Sequence, residues 1–284
     1  MNQFDAPGMR LARGGQAVAS LAVMGWKVHR REWAFVTTLV ISAFALVLPG
    51  ILGARALAGP NHEQAARFAS VAGTENYLAF VTIGVIGMTW AGATLTLLSI
   101  ALQREREQGT LSAIWTGRLA KPLLIVGRAM GSSIGIAVQS LTMFAASWAV
   151  FRFTLTLEAG ALLLVLGASY AANLAVGVAF AGLVVRYRAA AALSNLAVIA
   201  SGIFAGVAHP VGVLPEWAQV VAQFVPLTWI LRGLRAALVF ADAGEAVLSA
   251  GVLLLMAFAY GAISIWVFGA LERSARRHGV LDAI

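Results

Sequence analysis

Residues 103–122 read QREREQGTLSAIWTGRLAKP. Four consecutive charges, Arg104, Glu105, Arg106 and Glu107, stand at the end of a long apolar run, and Gly109 and Gly117 then bracket a seven-residue piece suited to one short helix. The chain around this island is oily: 60% of its 284 residues are hydrophobic, 11% are charged, and the mean hydropathy is +0.85. An ordinary soluble domain carries about 25% charged residues, so the composition is that of an integral membrane protein. The absence of cysteine excludes disulfides, thiolate catalysis and Cys-based metal sites. The net charge of +8 is not a nucleic-acid footprint, because the basic residues are parked between apolar runs instead of forming a stripe on a soluble surface.

About 20 mostly apolar residues cross the hydrocarbon core. Six stretches qualify: 33–54, 77–102, 129–151, 161–185, 189–208 and 246–271. No short apolar core with a cleavage site precedes them, so residues 1–32 do not read as a signal peptide. A seventh apolar stretch, 214–240, is broken by Pro215 and Pro226 and carries Glu216, Gln219, Gln223, Arg232 and Arg235. Charge decides whether it crosses. With the six spans placed, fifteen of the twenty Lys and Arg fall on one side: in the leading tail, the 103–128 loop, the 186–188 loop and the closing tail. Arg55, Arg67, Arg152, Arg232 and Arg235 fall on the other. The positive-inside rule puts both termini in the cytoplasm, which requires an even number of crossings and leaves 214–240 outside the count. The expectation is one all-α transmembrane domain over 1–284, with six membrane-spanning helices.

Pro215-Glu216 has the chemistry of a helix start, since proline needs no partner for its missing N–H and an acid suits the positive helix end. Pro226 can begin a second helix. The segment therefore reads as extracytoplasmic re-entrant half-helices between spans five and six, with an amphipathic hairpin capping the bundle as the plainer alternative. Residues 15–32 place Val18, Leu21, Met24 and Val28 on one helical face, with Trp26 and Trp33 at interfacial depth. They read as an interfacial amphipathic helix on the cytoplasmic leaflet, although a positive-inside flank accounts for the same charges.

None of the six spans contains Asp, Glu, Lys, Arg or His. An intramembrane charge costs about 2.5–3.5 kcal/mol and is normally kept for proton relays, ion paths or voltage sensing. Uncharged spans speak against a proton-coupled carrier, an ion pump and an intramembrane hydrolase. There is no HExxH and no Ser/His/Asp set, so no catalytic residue is assigned. His29, His62, His209 and His278 are scattered, and no metal site is expected. Gly127, Gly131 and Gly135, and Gly202 with Gly206, have the GxxxG spacing of close helix packing, within one chain or between two.

The island itself resolves into parts. The second span can continue as helix through Gln108, and Gly109 suits the left-handed residue that ends it. Thr110 is a good N-cap for Leu111–Thr116. Leu111, Ile114 and Trp115 give this short piece an apolar face that must lie on the bilayer or dock on a partner.

EREQGT followed by Leu and a cationic loop, between spans two and three, resembles the cytoplasmic coupling segment of type 2 ABC exporter permeases, a group that includes drug and lipid exporters. The amphipathic lead-in, the six spans and the proline-marked HPVGVLPEW…FVPLTWILRGLRAAL segment are also similar to that family. Ser112 stands where an acid is common and Gly117 where a proline often follows the Thr, with Pro122 coming later instead. The resemblance implies that Glu105, Glu107, Gly109, Thr110 and Leu111, with Ile114 and Trp115, seat on a separate ATP-binding cassette ATPase subunit. The chain has no phosphate-binding loop, so it would bind no cofactor itself, and ATP and Mg would sit on that partner. Six spans are half of a full transporter in the family, which implies a second permease copy, identical or related.

The expected function is the permease subunit of an ATP-driven exporter in a plasma membrane, moving an amphiphilic or hydrophobic cargo outward; the Ala-, Gly- and Arg-rich usage is compatible with a bacterial inner membrane. By resemblance, spans one, two and five flank the path, with Phe44, Met88, Trp90, Asn195 and Phe204 as candidate lining residues, each of which could equally be helix-packing core. The rivals are a non-transporting membrane scaffold that binds a partner through 103–122, and a secondary carrier. The carrier is disfavoured by the uncharged spans and by the lack of similarity between the two halves.

Overall fold

The computed structural model describes residues 48, 70, 72–74, 76–107, 121–186 and 190–277. The described part is entirely helical. In chain order it comprises α1 (Tyr77–Glu107), α2 (Lys121–Phe151), α3 (Ala159–Arg186), α4 (Ala190–Phe204), a 3-10 turn (Val211–Val213), α5 (Glu216–Gln223), α6 (Pro226–Arg235), a π turn (Ala236–Phe240) and α7 (Ala243–Arg277). Four helices, α1, α2, α3 and α7, are long and apolar enough to cross a membrane. The expected first span, 33–54, lies outside the described residues except for Leu48, as does the expected interfacial helix, 15–32.

Helix α1 is the centre. It packs against α2, α3, α4 and α6, while α7 runs along α3. Its membrane-length stretch is 67% buried, against 17% for α2 and 22% for α7. The outer helices turn Leu141, Trp148, Leu255, Phe258 and Trp266 away from the bundle. An apolar surface of that extent is normal only where lipid covers it.

In lipid there is no hydrophobic drive between helices, so close fit holds them together. Around α1 the fit is made by glycines. A Cβ on Gly87 would lie 2.5 Å from Leu231 Cδ2 of α6, and one on Gly92 would lie 2.8 Å from Val198 Cγ1 of α4. One on Gly177 of α3 would meet the Leu95 carbonyl oxygen at 3.0 Å, and one on Gly202 of α4 would meet Met88 Cε at 2.7 Å. Gly202 therefore serves packing within the chain.

Several hydroxyls along the helices look after themselves. Thr89, Thr94, Thr96, Thr142, Ser147 and Ser201 each donate to a carbonyl three or four residues back on their own helix. A few bonds run between helices: Trp90 Nε1 donates to Ser169 Oγ at 3.0 Å, Ser194 Oγ donates to Ser99 Oγ at 2.9 Å, and the Ser133 and Tyr170 hydroxyls bond to each other.

The expected fifth span, 189–208, takes a shorter form. Helix α4 has 15 residues, about 22 Å at 1.5 Å per residue, against a hydrocarbon core of about 30 Å. It ends because Gly206 turns left-handed, at φ +70°, with no room for a Cβ beside the His209 carbonyl oxygen. The apolar composition of 205–208 continues past the helix, but the backbone does not.

Glycine fit yields a direct test. Leu231 is fully buried and a Cβ on Gly87 would also stand 3.2 Å from Leu234 Cδ1, so Gly87→Ala forces both side chains to repack and is expected to lower stability by about 1–3 kcal/mol. Gly167→Ala, where nothing lies within 4 Å of the new methyl, should leave stability unchanged or raised. Thermal unfolding of the detergent-solubilised protein checks the contrast; equal midpoints for the two variants would remove glycine fit as the α1–α6 contact.

Candidate functional site

One end of the bundle gathers the start of α1, the α2–α3 connection, the end of α4, the two short helices and the start of α7. Backbone pairing joins the connection to the π turn: Thr156 N–H donates to the Leu238 carbonyl and Glu158 N–H to the Ala237 carbonyl, each at 3.0 Å. Asn76 caps α1 by accepting from Ala79 N–H and reaches across to Thr154, donating to its carbonyl at 2.8 Å.

The two short helices start at prolines. Pro215 is the N-cap residue of α5, with Glu216 in the first turn, and Pro226 occupies the first turn of α6. Trp229 Nε1 donates to the Gln223 carbonyl at 2.9 Å, which fixes the corner between them, and Tyr260 of α7 donates its hydroxyl to the Phe224 carbonyl at 2.6 Å. Helix α5 leaves Trp217, Val220 and Val221 exposed, as is Phe224 at its C-cap, an apolar stripe at spacings of three and four.

Helix α6 buries Leu227, Ile230, Leu231 and Leu234, and with them Arg235. Only 6% of Arg235 is exposed. Its Nη2 donates to three carbonyls: Val207 at 2.9 Å, Gly206 at 3.0 Å and Phe80 at 3.3 Å. The guanidinium lies over the Phe80 ring, 3.4 Å from its centroid, an arrangement that favours a cation. Burial lowers its pKa to about 9, so it remains protonated at neutral pH. Gly84 makes room for the cluster, since a Cβ there would fall on the Val207 carbonyl oxygen and stand 2.8 Å from Arg235 Nη2.

Arg232, one turn back, behaves differently. It is half exposed, pairs with Glu245 of α7 and stacks over Trp229 with its guanidinium carbon 5.0 Å from the ring centroid. Asp242 accepts from Glu245 N–H at 2.9 Å and so caps α7. Between these groups lies a cavity of about 510 Å³, whose wall includes Phe80, Thr228, Arg232, Arg235, Phe240, Asp242 and Glu245.

Of the residues expected to line a cargo path, four lie within the described residues. Met88 faces Gly202 of α4, and Trp90 bonds to Ser169 and sits near Tyr170 of α3. Phe204 meets Trp217 of α5 edge-on at 6.1 Å, Asn195 is exposed, and Phe44 lies outside the described residues. Of the expected coupling residues, Glu105 and Glu107 belong to the last turn of α1. Gly109, Thr110, Leu111, Ile114 and Trp115 lie outside the described residues.

Sequence reading passed over Arg235 as a functional candidate, yet a signal was there. Leu227, Ile230, Leu231 and Leu234 define one helical face, and Arg235 stands one turn beyond Leu231, at its edge.

The family model for the ABC-2 type transporter matches residues 16–239. The chain belongs to that family: it is a multi-pass membrane component of an ABC-type transporter, its permease. No curated protein matches it closely enough to stand as a relative.

The two arginines of α6 should separate cleanly on substitution. Arg235→Met strands the Gly206 and Val207 carbonyls and is expected to destabilise by about 3 kcal/mol, the scale of hydrogen bonds to a charged group. Arg232→Ala removes a half-exposed pair and should cost at most about 1 kcal/mol. Thermal unfolding of each variant in detergent checks the ranking, and the reverse order would refute the hub at Arg235.

Proposed function

We propose that this chain is the permease half of an exporter that moves an amphiphilic or hydrophobic cargo outward, driven by a separate ATPase subunit seated on the 103–122 island. Membership of the ABC-2 family is what carries the reading, and the matched residues enclose both the island and the proline-marked pair α5–α6. In this reading the chain holds no nucleotide, ATP and Mg sit on the partner subunit, and two permease copies face each other across the path. Both termini lie in the cytoplasm, and α5 and α6 dip in from the outer face of a plasma membrane, the inner membrane of a bacterial cell. In this reading 33–54 and α4, with the turn that continues from α4 to 208, join the four long helices to make six crossings.

The geometry of α1 suits the role of a transmitter. Its 31 residues make a rod of about 46 Å. The apolar portion, Tyr77–Ile100, ends before the charged turn that carries Glu105 and Glu107. A push on that turn reaches α2, α3, α4 and α6, because α1 touches all four. At its far end, the Phe80 carbonyl and ring hold Arg235. Closure of a docked ATPase pair would therefore move the α5–α6 end of the bundle through one continuous helix.

The test combines capture with transport. The tagged chain, extracted gently from its native membrane with ATP present, is expected to carry an ATPase with a phosphate-binding loop, and to lose it when 105–116 is scrambled. Glu105→Ala and Gly109→Pro should leave membrane insertion intact and uncouple export from ATP hydrolysis. A preparation free of any ATPase would favour the non-transporting scaffold, and normal export by both variants would cancel the coupling assignment.

A further inference from the structure

The cavity at the α6–α7 corner has the composition of a binding site. Thr228, Arg232 and Arg235, four and three residues apart, share one side of α6 and contribute to its wall. Asp242 and Glu245, on the turn before α7 and in its first turn, supply two carboxylates. Phe80, Phe240 and Val211 add apolar lining. At about 510 Å³ the volume lies within the range of small-molecule sites, roughly 300–1,000 Å³.

Two of the wall residues have unused bonding capacity. Thr228 and Arg235 are each 6% exposed, and among the described residues Thr228 Oγ1 and Arg235 Nε have no hydrogen-bond partner. Buried polar atoms are nearly always partnered, so two unpartnered ones on residues of the same wall leave bonding capacity that a small side-chain adjustment could offer to a ligand. The charges say which kind. A lone anion would meet Asp242 and Glu245, and a lone cation would meet Arg232 and Arg235. A wall carrying cations on one helix and carboxylates on the next matches a molecule that carries both signs.

We propose that this cavity binds a zwitterionic head group, with its phosphate or carboxylate beside Thr228, Arg232 and Arg235 and its ammonium beside Asp242 and Glu245. The source is a membrane amphiphile or a free solute of the same chemistry. The Arg232–Glu245 pair is partly exposed on both sides and can exchange partners with the incoming charges. Its test needs no ATPase, so the site and the exporter reading stand or fall separately.

The full chain, purified in detergent, is offered phosphatidylethanolamine or phosphatidylglycerol of equal chain length, and bound lipid is read by native mass spectrometry. The zwitterionic lipid should be retained about tenfold better than the anionic one, and Thr228→Val and Asp242→Asn should each reduce that retention about tenfold, the scale of one hydrogen bond to a charged group. Asp242 is exposed and asparagine still caps α7, so the second variant is informative even where the first folds poorly. Free phosphoethanolamine supplies the other arm: competition by it identifies recognition of the head group alone, and failure to compete identifies the amphiphile as the source. Equal retention of the two lipids, or retention unchanged in Asp242→Asn, would overturn the proposal.

Discussion

A single guanidinium sets the terms at one end of this bundle. Arg235 Nη2 bonds to carbonyls from α1 and from the turn after α4. The Gly206 and Val207 carbonyls lie just past the end of α4, so the donor satisfies backbone groups that would otherwise be stranded in an apolar setting, while the Phe80 carbonyl belongs to the first turns of α1 and ties the guanidinium to that helix. Several features that look independent follow from it. Gly84 must lack a side chain, α4 stops at Phe204, and α6 must lie close enough to α1 for Leu231 to fill the space at Gly87. The π turn after Arg235 then brings Leu238 and Ala237 to the α2–α3 connection.

The rest of the bundle is held by shape. Several hydroxyls turn back onto their own helices and so do not specify which helix neighbours which. Glycines on α1, α3 and α4 supply that information by allowing approach only where a complementary side chain stands opposite. Side chains seated in glycine gaps oppose sliding of one helix along its neighbour, so displacement of α1 is passed to the helices it touches.

How much of this was legible in the sequence differs by residue. The long helices α1, α2, α3 and α7 were, because crossing length is a property of composition alone. The starts of α5 and α6 were readable from Pro215, Glu216 and Pro226, where the backbone constraint is local. The length of α4 was not: Gly206 is the kind of residue that ends a helix, but glycines also stand inside α4 at Gly202 and throughout the long helices, and the carbonyls freed by the turn are met by a donor about 28 residues further on. Arg235 shows both sides. Its place beside the apolar face follows from helical spacing, whereas its partners at 80, 206 and 207 come from tertiary approach. Met88, Trp90 and Phe204 could not be assigned from sequence, since apolar lining and apolar core use the same side chains.

The order of residues along the chain gives the hub a consequence for how the protein is made. Phe80, Gly206 and Val207 all precede Arg235, so every acceptor of the guanidinium has left the ribosome before the donor does. Placing an arginine amid apolar segments is unfavourable by a few kcal/mol when it finds no partner, and here the partners are waiting. Arg232 is in the opposite position, with Glu245 still to come. During synthesis the inner lock can close first, and α7 arrives afterwards to seal a corner that is already set.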